Sequence, residues 1–531
     1  MAKRFVTIIL LLTALFRTDL YSQWDSQSMK LMEVMDKINR FYVDTLNEQS
    51  FVENVITNML HDLDPHSSYI SEEELTELNE QMEGEFEGIG VSFNVLNDTI
   101  FIISTIQGGP SERVGIMPGD RIIRINSENV AGTGITSRDV QSKLKGKKGT
   151  RVDVSVLRRH TSHLMEFTIT RDKIPVYSID ASYMVTPKIG YIKLSRFSQT
   201  SAEEFETALK ELKELGMEDL ILDLSGNGGG YLRTAVELAD QFLVDNQRIV
   251  YTEGRKVAHR DYNASAAGLF EKGRLVLMIN ESSASASEIV AGAVQDWDRG
   301  VIVGRRSFGK GLVQQPFQLN DGSLIRLTVA RYYTPTGRLI QKPYEDGFDD
   351  YEMDLINRYN KGELSTADSI HFPPSEKYTT LKFKRTVYGG GGIMPDYFVA
   401  LDTTRYSDYY RSLLSRGILN QFILNYVDRN RTELLFNFRD FSSFRKNFDV
   451  NEQILSELVA YASQEGLPFA ESEFRTSEQM ITILIKAYLA RDLYETSDFY
   501  EIFNVVDPAY QKAVEVLEKP VLYRDILKPQ S

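Results

Sequence analysis

The chain has 531 residues, a formal charge of −15, 42% hydrophobic residues and only 15 prolines. It is therefore globular, too long for one ordinary core, and carries no general basic surface for nucleic acid or anionic membrane. Cysteine is absent, which excludes disulfides, thiolate metal sites, a cysteine nucleophile and a lipid-bearing cysteine.

In chain order, MAKRFVTIILLLTALFRTDLYSQ sets two basic residues before a 12-residue apolar run that Arg17 and Asp19 end. That run is too short for a spanning helix of ~20 residues. Residues 1–22 read as a signal peptide cleaved near Ser22 or Gln23, so the mature protein is expected in the periplasm.

Residues 23–83 form a helical entry segment. Leu31, Met35, Ile38 and Tyr42 recur at helical spacing, and LDPHSSYI before SEEELTELNEQMEGEF predicts a turn and a further helix. At residue 84 the pattern changes to short β-rich runs (GIGVSFNV, IFIISTI, DRIIRIN, RVDVSVLR, MEFTITR), with a short helix and a Pro-Gly-Asp turn in GGPSERVGIMPGD. Over residues 173–401 strands alternate with helices: IGYIKLSRF, SAEEFETALKELKELG, DLILDLS, a helix over 231–243, RLVLMIN, a helix over 286–297, and GVIVG. Such alternation predicts a layered α/β unit. Residues 402–531 read as a helical domain without a chemical motif.

Three stretches carry chemistry. In SFGKGLVQ, Lys310 lies between Gly309 and Gly311. Gly304 to Lys310 spells the G-x-x-x-x-G-K of a phosphate loop, but the next residue is glycine where Ser or Thr would hold magnesium, and a hairpin pattern follows where a helix is needed. In NESSASASEI, Ser285-x-x-Glu288 is a capping box before an amphipathic helix. A serine there also has free backbone N–H groups beside it, as a developing oxyanion needs. Its hydroxyl requires a base; the six histidines sit in no recognisable triad, and a desolvated Lys310 can serve instead. Gln314, four residues on, falls on the same side of a strand and could orient that amine. The third stretch, DLILDLSGNGGGYL, adds backbone donors after a buried strand, Gly228 and Gly229 first among them and Ala286 beside the serine.

NESSASASEI, SFGKGLVQ, YYTPTGRLIQ and GGGIMPD, in this order and spacing, closely resemble the carboxy-terminal processing peptidases, also called tail-specific proteases. LDPHSSYI extends the resemblance, which spans about residues 31–401. It implies a Ser285/Lys310 catalytic dyad with Gln314 assisting, no metal or organic cofactor, and a multidomain α/β fold whose peptidase core is of the layered ClpP/crotonase type. It also implies a PDZ domain at residues 84–172, whose loop Gly88, Ile89, Gly90 and Val91 would grip a free C-terminus while the following strand pairs with the peptide. One departure stands out: where the family usually has arginine and often proline in the glycine turn, this chain has Ser225 and Gly228.

The resemblance thus implies a serine endopeptidase acting on envelope proteins or peptides with free C-termini. An adaptor would be a further partner, and contact with the membrane at most peripheral. A non-catalytic PDZ scaffold on a degenerate core is the alternative, disfavoured by the intact Ser285, Lys310 and Gln314. An acyl-CoA enzyme of similar fold would have no use for a PDZ unit or a leader.

Overall fold

The computed structural model describes residues 26–159 and 161–529; the leader read at residues 1–22 lies outside them. The helical entry segment is two helices, Ser26–Phe41 and Glu48–His61, the second capped by the Asn47 side chain. After the turn at Asp64 comes a strand the local pattern does not signal, Ser68–Ile70. Its partner is Leu324–Tyr333, with Ser68 opposite Arg326, so only long-range pairing makes it a strand. Ser71 and Glu74 then form a capping box on the helix Glu72–Glu83.

The β-rich unit is one antiparallel sheet of Val91–Val95, Ile100–Thr105, Arg121–Ile125, Arg151–Leu157 and Met165–Thr170, in that order, around a core including Ile100, Ile122, Val154 and Ile169. Val91–Val95 lies at the edge of this sheet. A helix at Ser137–Leu144, with only Val140 and Leu144 buried, is too weakly apolar to announce itself in sequence. The strand Asp172–Pro175 returns to pair with Glu85–Gly88, so the unit enters and leaves through one two-stranded ribbon.

The α/β region builds a six-stranded sheet in the order Ile179–Met184, Ile189–Leu194, Asp219–Asp223, Leu275–Ile279, Val301–Gly304 and Tyr397–Phe398. All pairs are parallel except the first. The four middle strands are buried at every position, as their unbroken apolar runs require of a parallel sheet covered on both faces. One face packs on the helices Ser201–Glu214, Leu232–Asp240 and Ala286–Asp296 through Phe205, Leu209, Leu238 and Ile289. The other is covered by the last helices of the chain, Pro508–Glu518 and Pro520–Ile526, through Tyr510, Ala513, Leu517 and Tyr523 against Tyr191, Val276 and Val301. The end of the expected helical domain is thus a layer of the α/β core. The helices before it, from Asp408–Ser415 to Thr496–Phe503, share a core of their own.

A second sheet lies beside the first: Leu324–Tyr333 pairs with Leu312–Gln318, Ser68–Ile70 and Arg248–Glu253. The turn at Asn320-Asp321-Gly322 closes the expected hairpin, with Gly322 at φ +90°.

Candidate active site

Ser285 stands immediately before the helix Ala286–Asp296, at φ 53° and ψ −110°, a conformation that side-chain-bearing residues seldom adopt. The surroundings over-determine it. Its N–H donates to the Glu288 carboxylate at 2.8 Å. The same buried carboxylate accepts from the Ser307 hydroxyl at 2.5 Å, the Gly309 N–H at 2.7 Å and the Lys310 N–H at 2.9 Å. Glu288 thus does more than cap its helix: it clamps the serine turn to the Gly-Lys-Gly loop. Burial lifts its carboxyl to about 7, the four donors working against that lift.

A second clip lies on the carbonyl side. The buried Tyr332 hydroxyl reaches the carbonyl oxygens of Lys310 at 2.5 Å and Ser285 at 3.1 Å. Ser285 and Lys310, 25 positions apart in sequence, are held together at both N–H and carbonyl groups. The GGGIMPD stretch backs the loop: the Ile393 N–H donates to the Ser307 hydroxyl at 2.6 Å.

The Lys310 amine is mostly buried and has no hydrogen-bond acceptor among the described residues. Desolvation first, then the Arg326 charge, lowers it from 10.5 to about 8, with Glu288 and Asp64 opposing. His66 cannot take over as base. Burial and the charges of Lys310, Lys342 and Arg326 push it down to about 3, and its Nε2 lies 2.8 Å from the Tyr351 hydroxyl.

The glycine turn is drawn against the serine by Asn227, fully buried. Its carbonyl accepts from the Ala284 N–H at 3.0 Å and the Ser287 hydroxyl at 2.9 Å. Lys193 holds the far side, donating to the Ser225 carbonyl at 2.5 Å. Two of the three expected oxyanion donors are free: the N–H groups of Gly228 and Ala286 have no acceptor among the described residues. Gly229 is a correction, because its N–H is committed to Asn227 Oδ1 at 2.9 Å. Its role is steric: at φ +103°, a Cβ there would lie 2.8 Å from Ser285 Cβ and 2.9 Å from the Ala284 carbonyl.

The strand geometry expected of Gln314, not its assignment, needs a correction. The strand begins only at Leu312 and its register shifts between Val313 and Gln314, so two-residue alternation does not relate Gln314 to Lys310. Its Nε2 donates to Thr328 Oγ1 at 3.3 Å, and Thr328 Oγ1 donates to Asp64 at 2.9 Å. Asp64 also accepts from the Ser67 hydroxyl at 2.6 Å and the His66 N–H at 2.9 Å, so LDPHSSYI forms one wall of the site. The sequence reads that stretch as a turn and a family mark but not as part of the site, and it leaves out Glu288 as clamp, Tyr332 and Asn227. The spacing of the four motifs was the signal that could have joined them.

In the β-rich unit the loop ahead of the edge strand turns its carbonyls inward. Ile89 accepts from the Ser111 hydroxyl at 2.7 Å and Gly90 from the Ile106 N–H at 3.0 Å. The N–H groups of Ile89 and Gly90 have no acceptor among the described residues. With Gly88, Val91, Phe93 and Leu144 they line a groove whose mouth carries an ion pair between Lys145 and Glu80.

Residues 188–349 match the family described as Peptidase family S41, residues 88–169 a PDZ domain, and residues 409–495 a family of unknown function, DUF8443. The chain is 34% identical over 320 residues to a carboxy-terminal-processing protease of Bartonella bacilliformis, covering 59% of this chain and 73% of the relative. It is 35% identical over 329 residues to the carboxy-terminal processing protease CtpB of Bacillus subtilis, covering 60% and 68%. Among solved structures, a photosystem II D1 C-terminal processing protease aligns at 28% identity and a TM-score of 0.34, over 58% of this chain and 83% of that one.

Proposed function

The chain belongs to peptidase family S41 as a carboxy-terminal processing serine protease with a PDZ domain, and we propose that Ser285 is its nucleophile and Lys310 the base. The observation that carries this is the double clip: Glu288 and Tyr332 join the two backbones, with the Lys310 amine in a desolvated setting that holds it near 8. A base poised close to the working pH suits proton transfer, whereas His66 at about 3 is too weak.

Ser285 Oγ attacks the scissile carbonyl carbon as its proton passes to Lys310 Nζ. The oxyanion accepts from the N–H groups of Ala286 and Gly228. The resulting ammonium protonates the departing amine, and Lys310 then takes a proton from the water that hydrolyses the acyl-serine. Gln314, whose Oε1 has no donor among the described residues, accepts from the lysine and steadies it. A serine-directed acylating probe tests the assignment: it should label Ser285, and labelling should slow at least ~100-fold in Lys310→Arg. Equal labelling would return Lys310 to a structural role.

Substrate tails are read, in this proposal, by the PDZ loop at Gly88 to Val91. Its free N–H groups meet the terminal carboxylate and the edge strand Val91–Val95 pairs with the peptide. The leader would deliver the mature chain, starting near Gln23, to the periplasm, with at most peripheral membrane contact. No helix among the described residues is long and apolar enough to cross a membrane. N-terminal sequencing of the exported protein tests this; an intact leader in the membrane fraction overturns it.

A further inference from the structure

Among the described residues, six arginines have a buried side-chain nitrogen without a hydrogen-bond partner: Arg274, Arg306, Arg326, Arg338, Arg358 and Arg385. All but Arg326 face a carboxylate: Arg274 faces Asp219, Arg306 Glu363, Arg338 Asp296, and Arg385 Asp298 and Asp396, while the Arg358 Nε lies 3.7 Å from Glu363 and its other two nitrogens donate to the Ser307 and Arg306 carbonyls. Arg326 makes no ion pair and no side-chain hydrogen bond among the described residues. A guanidinium stays charged at any workable pH and carries five donors in a fixed fork. Arg326 is half-buried and its buried Nε is left without a partner, a desolvation cost that an anion arriving from outside would offset.

Its position says where that anion would sit. Arg326 lies on the strand Leu324–Tyr333 between Ser68 and Pro316, two residues from Thr328, which faces Gln314 across the ladder. Alternation along the strand puts Arg326 and Thr328 on the same face. Its strand partner Ser68 belongs to the LDPHSSYI wall that also carries Asp64 and His66, and its charge reaches both Lys310 and His66, lowering each. Asp64 and Glu288, the carboxylates that bear on Lys310, are occupied elsewhere: Asp64 by Ser67 and Thr328, Glu288 by the serine turn and the lysine loop.

We propose that Arg326 is a specificity-determining residue of this site, forming an anion subsite beside Lys310 that receives a carboxylate of the bound substrate close to the scissile bond. The fork matches a carboxylate in two parallel N–H···O bonds. Two parts of a substrate supply that chemistry: an Asp or Glu side chain near the cleaved bond, or the free C-terminus itself when the excised tail is short. The inference rests on Ser285 and Lys310 being the peptidase centre.

The test is a set of fluorogenic peptides differing by one Glu-to-Gln change at successive positions around the cleaved bond, and by a free or amidated terminus. Each is cleaved by the wild type, Arg326→Gln and Arg326→Lys. The wild type should favour the carboxylate at one position at least about tenfold in kcat/KM, mainly through KM, the scale of a charge-assisted hydrogen bond. Arg326→Gln should bring that ratio to about one, while Arg326→Lys, which keeps the charge but not the fork, should retain part of it. A preference in the Glu arm assigns the side chain and one in the amidation arm assigns the terminus. Because the PDZ loop also reads termini, the amidation arm is repeated in Gly90→Trp, where only a preference belonging to Arg326 survives. A wild type that shows no preference overturns the proposal without any variant, and so does a preference that persists in Arg326→Gln. If the acylating probe labels Ser285 and the ratios are flat, this subsite alone fails; absent labelling fails the peptidase centre as well.

Discussion

Glu288 joins the serine turn to the lysine loop, because its two oxygens serve four donors from those two segments. Glu288→Gln would set an amide NH2 against N–H donors in a fully buried position. That should lower stability by ~2–5 kcal/mol and kcat at least ~100-fold, read by thermal unfolding and steady-state kinetics. Lys310 governs the pH dependence. The neutral amine is the base and its titration is lowered to about 8, so kcat/KM should rise about tenfold per pH unit below that point and level off above it. Lys310→Arg should be as inactive as Lys310→Ala, because guanidinium does not deprotonate. A profile flat from about pH 6 to 9 would falsify the assignment of Lys310 as base.

At the scale of elements, function resides where a strand gives way to a loop. The turn after Asp219–Asp223 presses Gly229 onto Ser285, so Gly229→Ala would push its Cβ into backbone that cannot yield. Loss of kcat by at least ~100-fold is expected, with unfolding free energy falling only ~1–3 kcal/mol, since the strain is local. The PDZ loop obeys the same steric logic. A Cβ at Gly90 would lie 3.0 Å from Ile174 and 3.3 Å from Pro110, at φ +71°. Gly90→Trp should therefore weaken cleavage of a long substrate with a free terminus while changing its amidated counterpart little. Equal cleavage of free and amidated tails by the wild type would sink that role for the loop.

For the whole molecule, the tail ties the other parts together. Leu424 of the helix Ile418–Asn437 packs against Leu96 and Phe101 of the PDZ unit, and Arg121 pairs with Asp428 at 2.6 Å. Beyond it, the helices Pro508–Glu518 and Pro520–Ile526 cover Tyr191, Ile221, Val276 and Val301. Truncation after residue 507 would expose that apolar sheet face to water, so the shortened chain should not yield a soluble folded peptidase. Expression with circular dichroism checks this. A soluble, active product would mean that residues 508–531 are dispensable to the sheet they cover.

Much of this molecule is written locally. The apolar runs DLILD and LVLMI specify buried parallel strands because nothing polar interrupts them, and Ser285-x-x-Glu288 and the Asn-Asp-Gly turn mark a helix start and a hairpin because both are settled within four residues. Gly309-Lys310-Gly311 stood out for the same reason, a charge set where side chains would crowd it. Other features depend on which segments meet in the closed fold, and no local pattern encodes them. Ser68–Ile70 becomes a strand only against Leu324–Tyr333. The register shift at Gln314 undoes the alternation that seemed to aim it at Lys310, and the Arg326 Nε is buried without a partner because of the segments the fold brings over it. A sequence specifies which groups are present and their local geometry, but hydrogen-bond satisfaction and burial belong to the closed fold, since each depends on every chain segment that reaches the same few ångströms.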